Sequence, residues 1–380
     1  MSATLTPGRP ARLLIVLASL CAEGTPVLAL QLCRLWRQQG IGIVIALLEP
    51  LPDDLRAEVE ALDLPIETFQ LGSGPARYPR LALQTLRICR SHSCTAVLSF
   101  PLGWHGCIAW GARAAGARRV CAHVGNLPPV WTGRSFRRFK ALVQLGRPVT
   151  HRLLCCSDYI RTATIRDFRL RPGETTTIYN ACDLDAFAAQ PRPPRPSPGQ
   201  QQQPARVGMV ARLEIHKDQP TLIRAAALLR DRGQPVEIWL VGEGSHRPRL
   251  EALIDELGLQ RLVHLLGMRR DIPALLAQLD LFVFAAKPDE GFGIALAEAM
   301  AAGVPIVATD VGACREVLAG GELAQLVPPA DAEALADGIS AVLADPAAAR
   351  RRAEAARRRA CSDFSVAAMA AAYGRELGLP

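Results

Sequence analysis

At 380 residues the chain exceeds one ordinary hydrophobic core, so two domains are expected, and its 49% hydrophobic content excludes a disordered polymer. No apolar run reaches the roughly 18 to 20 residues of a spanning helix, which argues against an integral membrane protein. The formal charge of +8 is concentrated early: thirteen Lys and Arg and no acidic residue lie between Glu67 and Asp158, a field that attracts phospholipid headgroups, phosphorylated substrates or nucleic acid.

In chain order, Arg9 and Arg12 ahead of "LLIVLASL" imitate a secretory signal, yet Leu20 before Cys21 suits neither a small-residue cleavage site nor a lipoprotein site. The expectation is a cytoplasmic chain, and the eleven cysteines, scattered without a CxxC pair or zinc spacing, are read as reduced. Strands are expected at "RLLIVLAS", "IGIVIALL", "AVLSF", "RRVCAHV", "RLLCCS" and "TTTIYN". After the first of these, Thr25 and Pro26 read as an N-cap and first helical residue, and Gly40 as the helix stop. The stretch "WTGRSFRRFKALVQLG" sets Phe136, Phe139 and Val143 on one helical stripe, with Arg134, Arg137 and Arg138 largely elsewhere. It fits a core-packed helix with a solvated basic face equally with a peripheral patch for anionic lipid. Nucleic acid is set aside, because no recognition motif accompanies the charge.

From residue 188 to 204 the pattern breaks into a Pro/Gln-rich linker, after an N-terminal domain of residues 1–187. Past it come "ARVGMVA", "VEIWLVG", "LVHLLG", "LFVFAA", "PIVATD" and "LAQLVP", interleaved with helical patterns, in a second domain of residues 205–362. The segment 363–380 completes the chain, within a helix that starts at the serine and aspartate of "SDFSVAAMAAAYGREL". Near-continuous apolar strands alternating with helices imply parallel sheets covered on both faces. The expected class is α/β, with two doubly wound Rossmann-like domains facing a central cleft and ligands at the C-terminal ends of the strands.

The second half carries the chemistry. Arg212 and Lys217 in "ARLEIHKDQP" follow a strand and precede a helix opening near Asp218-Gln219-Pro220. Two cations beside a helix N-terminus make an anion site suited to a diphosphate, each charge-assisted bond adding about 1.5 to 3 kcal/mol. Taken alone, Arg212 would read as a surface salt bridge. In "VGEGSHRPRL", Gly242 and Gly244 allow close approach to a ligand or merely a tight turn. "DEGFGIALAEAM" offers the N–H groups of Gly291 and Gly293 at a helix start, with Phe292 and Ile294 as further donor-binding candidates, Glu290 beside them and Glu298 among apolar neighbours. A carboxylate there is costly unless satisfied by backbone N–H groups or an arginine. The alternative is that both glutamates accept hydrogen bonds from the vicinal hydroxyls of a ribose and a hexose. Asp183-Leu184-Asp185 is a D-x-D string, but helix capping explains it and no metal is expected.

"EGFGIALAEAMAAGVPIVATDVG" resembles the signature of the retaining GT-B glycosyltransferases of family 4, an E-x7-E pair followed by a small-residue helix and G-x-P-x-V-A-T. "ARLEIHK" looks like that family's Arg and Lys pair, and "IYNACDLDAF" like its Asn-Gly-x-Asp segment, with Ala181 in the glycine's place. The resemblance implies that Glu290 contacts the transferred sugar, Glu298 the ribose hydroxyls, and Arg212 and Lys217 the leaving diphosphate. It also implies that His123 in "CAHVGN" stands beside the reacting sugar, with His105 in "GWHG" as its rival, and that the last helix packs back on the first domain. Gly24 and Thr25 would face the acceptor, although "GTP" lacks one glycine of the family's usual pair. The implied protein is a metal-independent hexosyltransferase with a nucleotide diphosphate sugar as co-substrate and a carbohydrate or lipid-linked acceptor. It would be cytoplasmic, with its basic first half offered to the inner face of the membrane. The rivals are a nucleotide-sugar epimerase or phosphorylase on the same fold, and a non-catalytic nucleotide-sugar-binding protein.

Overall fold

The computed structural model describes residues 12–22, 24–127, 133–188, 190 and 204–380. Arg9, Trp131 and nearly all of the expected linker lie outside these residues, and so does the side chain of Arg134.

The chain forms two units, one of residues up to Asn180 together with Val366–Pro380, the other of Ala181–Ser365. In the first, strands β1 (Arg12–Leu17), β2 (Gly42–Leu47), β3 (Ile66–Thr68), β4 (Ala96–Ser99), β5 (Arg119–Val124), β6 (Arg152–Cys155) and β7 (Thr175–Thr177) make one parallel sheet in the order β3-β2-β1-β4-β5-β6-β7. The apolar run that imitates a leader is the inner strand β1, paired on both sides, with Leu13 to Leu17 at most 2% exposed. The helix after it spans Gly24–Gln38 and buries Leu28, Leu32 and Trp36. It starts two residues earlier than expected, so Thr25 lies inside the first turn instead of capping it. Gly40, at φ 79°, ends it as a left-handed stop.

The acid-free segment folds into helices that include Arg77–Ser91, Leu102–Ala114 and Phe136–Gly146, the middle one packed against both others. Glycine makes this approach possible. A Cβ on Gly111 would stand 2.2 Å from the Ala82 carbonyl oxygen, inside any tolerable contact.

In the second unit, β8 (Ala205–Val210), β9 (Val236–Val241), β10 (Val263–Gly267), β11 (Leu281–Phe284), β12 (Ile306–Thr309) and β13 (Gln325–Val327) form a parallel sheet in the order β10-β9-β8-β11-β12-β13. β8 and β11 are neighbours where the order reverses, which puts the loops after them at the topological switch point of a doubly wound sheet. The core is aliphatic: Val207, Leu222, Ile238, Leu281, Val283 and Val307 are almost wholly buried.

Two expected boundaries move. The first domain does not run to residue 187, because the short helix Leu184–Ala188 packs on the helices Ile272–Gln278 and Ile294–Ala301 of the second unit. Ser362 and Asp363 do not open the last helix; they finish the helix Pro346–Asp363, and the last helix is Val366–Leu377. Between the two, Ser365 forms a parallel bridge with Cys182. The last helix buries Met369, Ala370, Tyr373 and Leu377 and packs on the Gly24–Gln38 helix, β4 and β5. All eleven cysteines are free. Among the described residues no helix is long and apolar enough to cross a membrane.

Candidate active site

The loop after β8 makes a short 3-10 turn, Ile215–Lys217, before Asp218 in the left-handed region hands over to the helix Gln219–Asp231. Asp218 holds its turn by accepting from the Thr221 hydroxyl at 2.9 Å, and Gln219 Nε2 donates to the Arg212 carbonyl at 2.8 Å. These bonds fix Lys217 at the helix start. The loop after β11 ends in Gly293, whose φ of 83° begins the helix Ile294–Ala301 and whose Cβ position lies 3.1 Å from the Phe284 ring. Both loops therefore deliver their charged residues to the same end of two adjacent strands.

There Lys217 Nζ donates to Glu290 Oε2, with the two side chains only 17% and 10% exposed. The other carboxylate oxygen, Oε1, accepts the Gly291 N–H at 3.2 Å and the Phe292 N–H at 3.4 Å. The ammonium also lies over the Phe284 ring, 5.5 Å from its centroid. Cys314 is close enough that its thiol is pushed up, chiefly by burial and then by Glu290, with Lys217 opposing. The pair is thus a charged bond held in a nearly dry pocket and braced by backbone donors, a setting in which electrostatic interactions are strong.

The other residues of the second unit divide. Arg212 is exposed at the mouth of the β8 loop. Glu298 lies one turn further along the helix, where burial pushes its carboxyl up to about 7. Its charge is felt by the buried Cys182, whose thiol is raised first by its own burial and next by Glu298. Phe292 offers its N–H but not its ring, which is buried edge-on to Phe364 at 5.2 Å. Gly242 is required by packing: its φ is 138°, a Cβ would stand 2.1 Å from the Ala211 carbonyl oxygen, and its N–H donates to the Gly267 carbonyl at 2.9 Å. Asp183 and Asp185 stand exposed around the first turn of the Leu184–Ala188 helix.

In the first unit the two histidines separate cleanly. His105 is sealed in the core with both ring nitrogens engaged, Nδ1 with the Ser99 hydroxyl at 2.6 Å and Nε2 with the Thr150 hydroxyl at 2.8 Å. It bridges β4 to the end of the Phe136–Gly146 segment and has no ring atom to offer. His123, near the end of β5, bonds through Nδ1 to the Tyr373 hydroxyl at 2.8 Å, with the Phe100 ring 5.2 Å away. Burial pulls both imidazoles down to about 4, so both are neutral near pH 7. Gly24 and Thr25 are exposed at the start of the helix after β1, also beside a switch point, since β1 adjoins both β2 and β4. Sequence reading missed Tyr373 and the coupling of Glu298 to Cys182. A lone tyrosine following a run of small residues is the available signal for the first.

Comparison with known proteins agrees with this architecture. Residues 22–186 match the family described as Glycosyltransferase Family 4, and residues 194–359 the one described as Glycosyl transferases group 1. Glycogen synthase of Mycobacterium tuberculosis is 33% identical over 216 residues, 56% of this chain and 50% of that protein. The MMP alpha-(1->4)-mannosyltransferase of Mycolicibacterium hassiacum is 32% identical over 250 residues, 63% of this chain and 58% of that protein. The chain spans about half the length of these curated relatives. The crystal structure of Anabaena HepE in complex with UDP and glucose superimposes with a TM-score of 0.81 over 97% of this chain and 99% of that one; at 23% identity this speaks for the fold. Two parallel-sheet units of this topology, each matched by its own family model, make the chain a member of the family 4 glycosyltransferases of GT-B fold.

Proposed function

We propose that the protein is a retaining glycosyltransferase that moves a sugar from a nucleotide diphosphate sugar to an acceptor hydroxyl in glycolipid or polysaccharide synthesis, with no metal required. The observation that carries this reading is the Lys217–Glu290 pair braced by the Gly291 and Phe292 N–H groups at the strand-order switch. In this reading the donor's diphosphate takes Lys217 from Glu290 and is met by Arg212 and the start of the Gln219–Asp231 helix. The carboxylate so released turns to the sugar hydroxyls. As the glycosidic bond breaks, the diphosphate gains charge and these preorganised cations and dipoles stabilise it. Glu298 accepts from the ribose hydroxyls. His123 supports the sugar, and Gly24 and Thr25 contact the acceptor. The acceptor attacks from the face the diphosphate leaves, with a diphosphate oxygen helping to take its proton. The names of the relatives, a synthase of glycogen and a mannosyltransferase, support the class of reaction.

UDP-glucose, GDP-mannose and ADP-glucose, added separately, are expected to differ in their effect on thermal unfolding, one of them raising the midpoint and releasing nucleoside diphosphate only with an acceptor present. Sugar isomerised without an acceptor would favour the epimerase, and binding without turnover on any acceptor would favour a silent binding protein. The braced Lys217–Glu290 pair argues against the latter.

The acceptor side of the proposal is a lipid-linked sugar at an anionic membrane. The stripe of Phe136, Phe139 and Val143 packs inward, the two rings against Phe168 and Val143 buried, so the exposed apolar groups on the packed helices of the acid-free segment are instead Leu83, Trp110 and Leu145, at 48%, 44% and 53%. Basic side chains on the same helices would add about 1 kcal/mol each near an anionic surface. Flotation with vesicles containing phosphatidylglycerol should therefore carry the protein at low salt and lose it as salt rises. No flotation at low salt would dismiss this part.

A further inference from the structure

The buried hydroxyl of Tyr373 has one nitrogen within reach. It lies 250 residues from His123 in sequence, on the last helix, is fully buried, and its Oη stands 2.8 Å from His123 Nδ1. A phenol O–H shut away from water needs an acceptor, because an unsatisfied donor there costs roughly 1–3 kcal/mol. No other hydrogen bond of this hydroxyl exists among the described residues, so the O–H donates to Nδ1. A neutral imidazole that accepts at Nδ1 carries its proton on Nε2. The same Nε2 faces Gly125, where a Cβ would intrude to 2.8 Å, and it has no hydrogen-bond partner among the described residues. The Phe100 ring flanks the imidazole at 5.2 Å.

We propose that Tyr373 is a positioning residue: by donating to Nδ1 it locks His123 in the Nε2–H tautomer and makes the histidine a fixed hydrogen-bond donor to a saccharide oxygen, not a base. This rests on the reading of His123 given under Proposed function. It also gives the last helix a part in the site chemistry, beyond its packing on β4 and β5. Burial holds the imidazole neutral and lifts the Tyr373 phenol well above its ordinary value, so both groups keep these roles across the neutral range.

The full chain labelled with ¹⁵N-histidine tests it. The His123 ring, assigned by its loss in His123→Gln, should show a protonated Nε2 and an unprotonated Nδ1, and Tyr373→Phe should turn that pattern into a mixture of tautomers. Tyr373→Phe retains the ring and should lower kcat about tenfold, with the donor KM within about twofold, measured as diphosphate release from whichever of UDP-glucose, GDP-mannose and ADP-glucose is turned over. In a His123→Ala background the same substitution should change nothing further. An Nδ1–H tautomer in the wild type overturns the proposal, and so does an equal loss on both backgrounds, which would make the tyrosine merely structural. Full turnover in His123→Ala refutes the role of His123 itself, while the ring spectrum still reports separately on the tyrosine bond.

Discussion

Lys217→Ala is expected to lower turnover by roughly 10²–10³-fold and to destabilise the second unit by about 3 kcal/mol. Under the proposed function, the first effect follows from removing the cation that meets the diphosphate as it leaves. The second arises because Glu290, 10% exposed, keeps its two backbone donors but loses the ammonium bonded to its Oε2. Glu290→Ala should abolish transfer as well, at a similar cost to stability, since an ammonium 17% exposed is then left over an aromatic ring with no carboxylate beside it. The pair Lys217→Met with Glu290→Leu separates the two effects. Replacing both charges by apolar groups of similar shape should restore most of the unfolding free energy in urea and none of the turnover. Wild-type turnover in either single variant would refute the donor role, and an unchanged urea transition would show that the pair is far better solvated than its exposure indicates.

Glu298→Gln should make the protein more stable than wild type above neutral pH, by up to about 3 kcal/mol, and no different near pH 4. The sign follows from the shift. Burial raises the folded-state carboxyl from 4.5 to about 7, so between those values the folded chain binds the proton that the unfolded chain has released. Wild-type stability therefore falls as pH rises through that window and levels off above about 7. Glutamine carries no charge and lacks the slope. Under the proposed function the same group gives the opposite trend in binding: only the ionised carboxylate accepts two ribose hydroxyls, so donor affinity should rise with pH by up to about tenfold per unit toward neutrality and then level off. Stability and affinity moving in opposite directions through one midpoint is a specific signature. A Glu298→Gln variant that preserves the wild-type pH slope would refute it.

The fold was legible because its strands announce themselves. Twelve apolar runs became twelve strands, the inner ones such as β1 and β11 buried nearly along their length and edge strands such as β10 and β13 only in part. The strand that escaped, Ile66–Thr68, is three half-buried residues at a sheet edge, too short for any periodicity to show. The site was legible residue by residue but not in its couplings. Lys217 and Glu290 stand out as a cation at a helix start and an acid beside glycines, yet nothing in the spacing of 73 residues says that each is the other's partner. Gly242 carries a requirement invisible in the sequence, since a glycine after a strand reads as ligand approach or a tight turn while a Cβ there would meet the backbone of Ala211. The Tyr373–His123 bond joins the chain's last helix to its fifth strand, a relation fixed only by tertiary packing.

The bridge between Cys182 and Ser365 puts the entry and exit of the second unit side by side. That unit is therefore an insertion within the first, continuous in sequence, whereas its host is assembled from two distant pieces. A single crossover between related genes would separate Tyr373 from the sheet it packs on, while a double crossover at these adjoining junctions would exchange the whole cassette and leave the host intact. Recombination that exchanges the second unit should accordingly preserve residues 366–377 with the opening half of the chain.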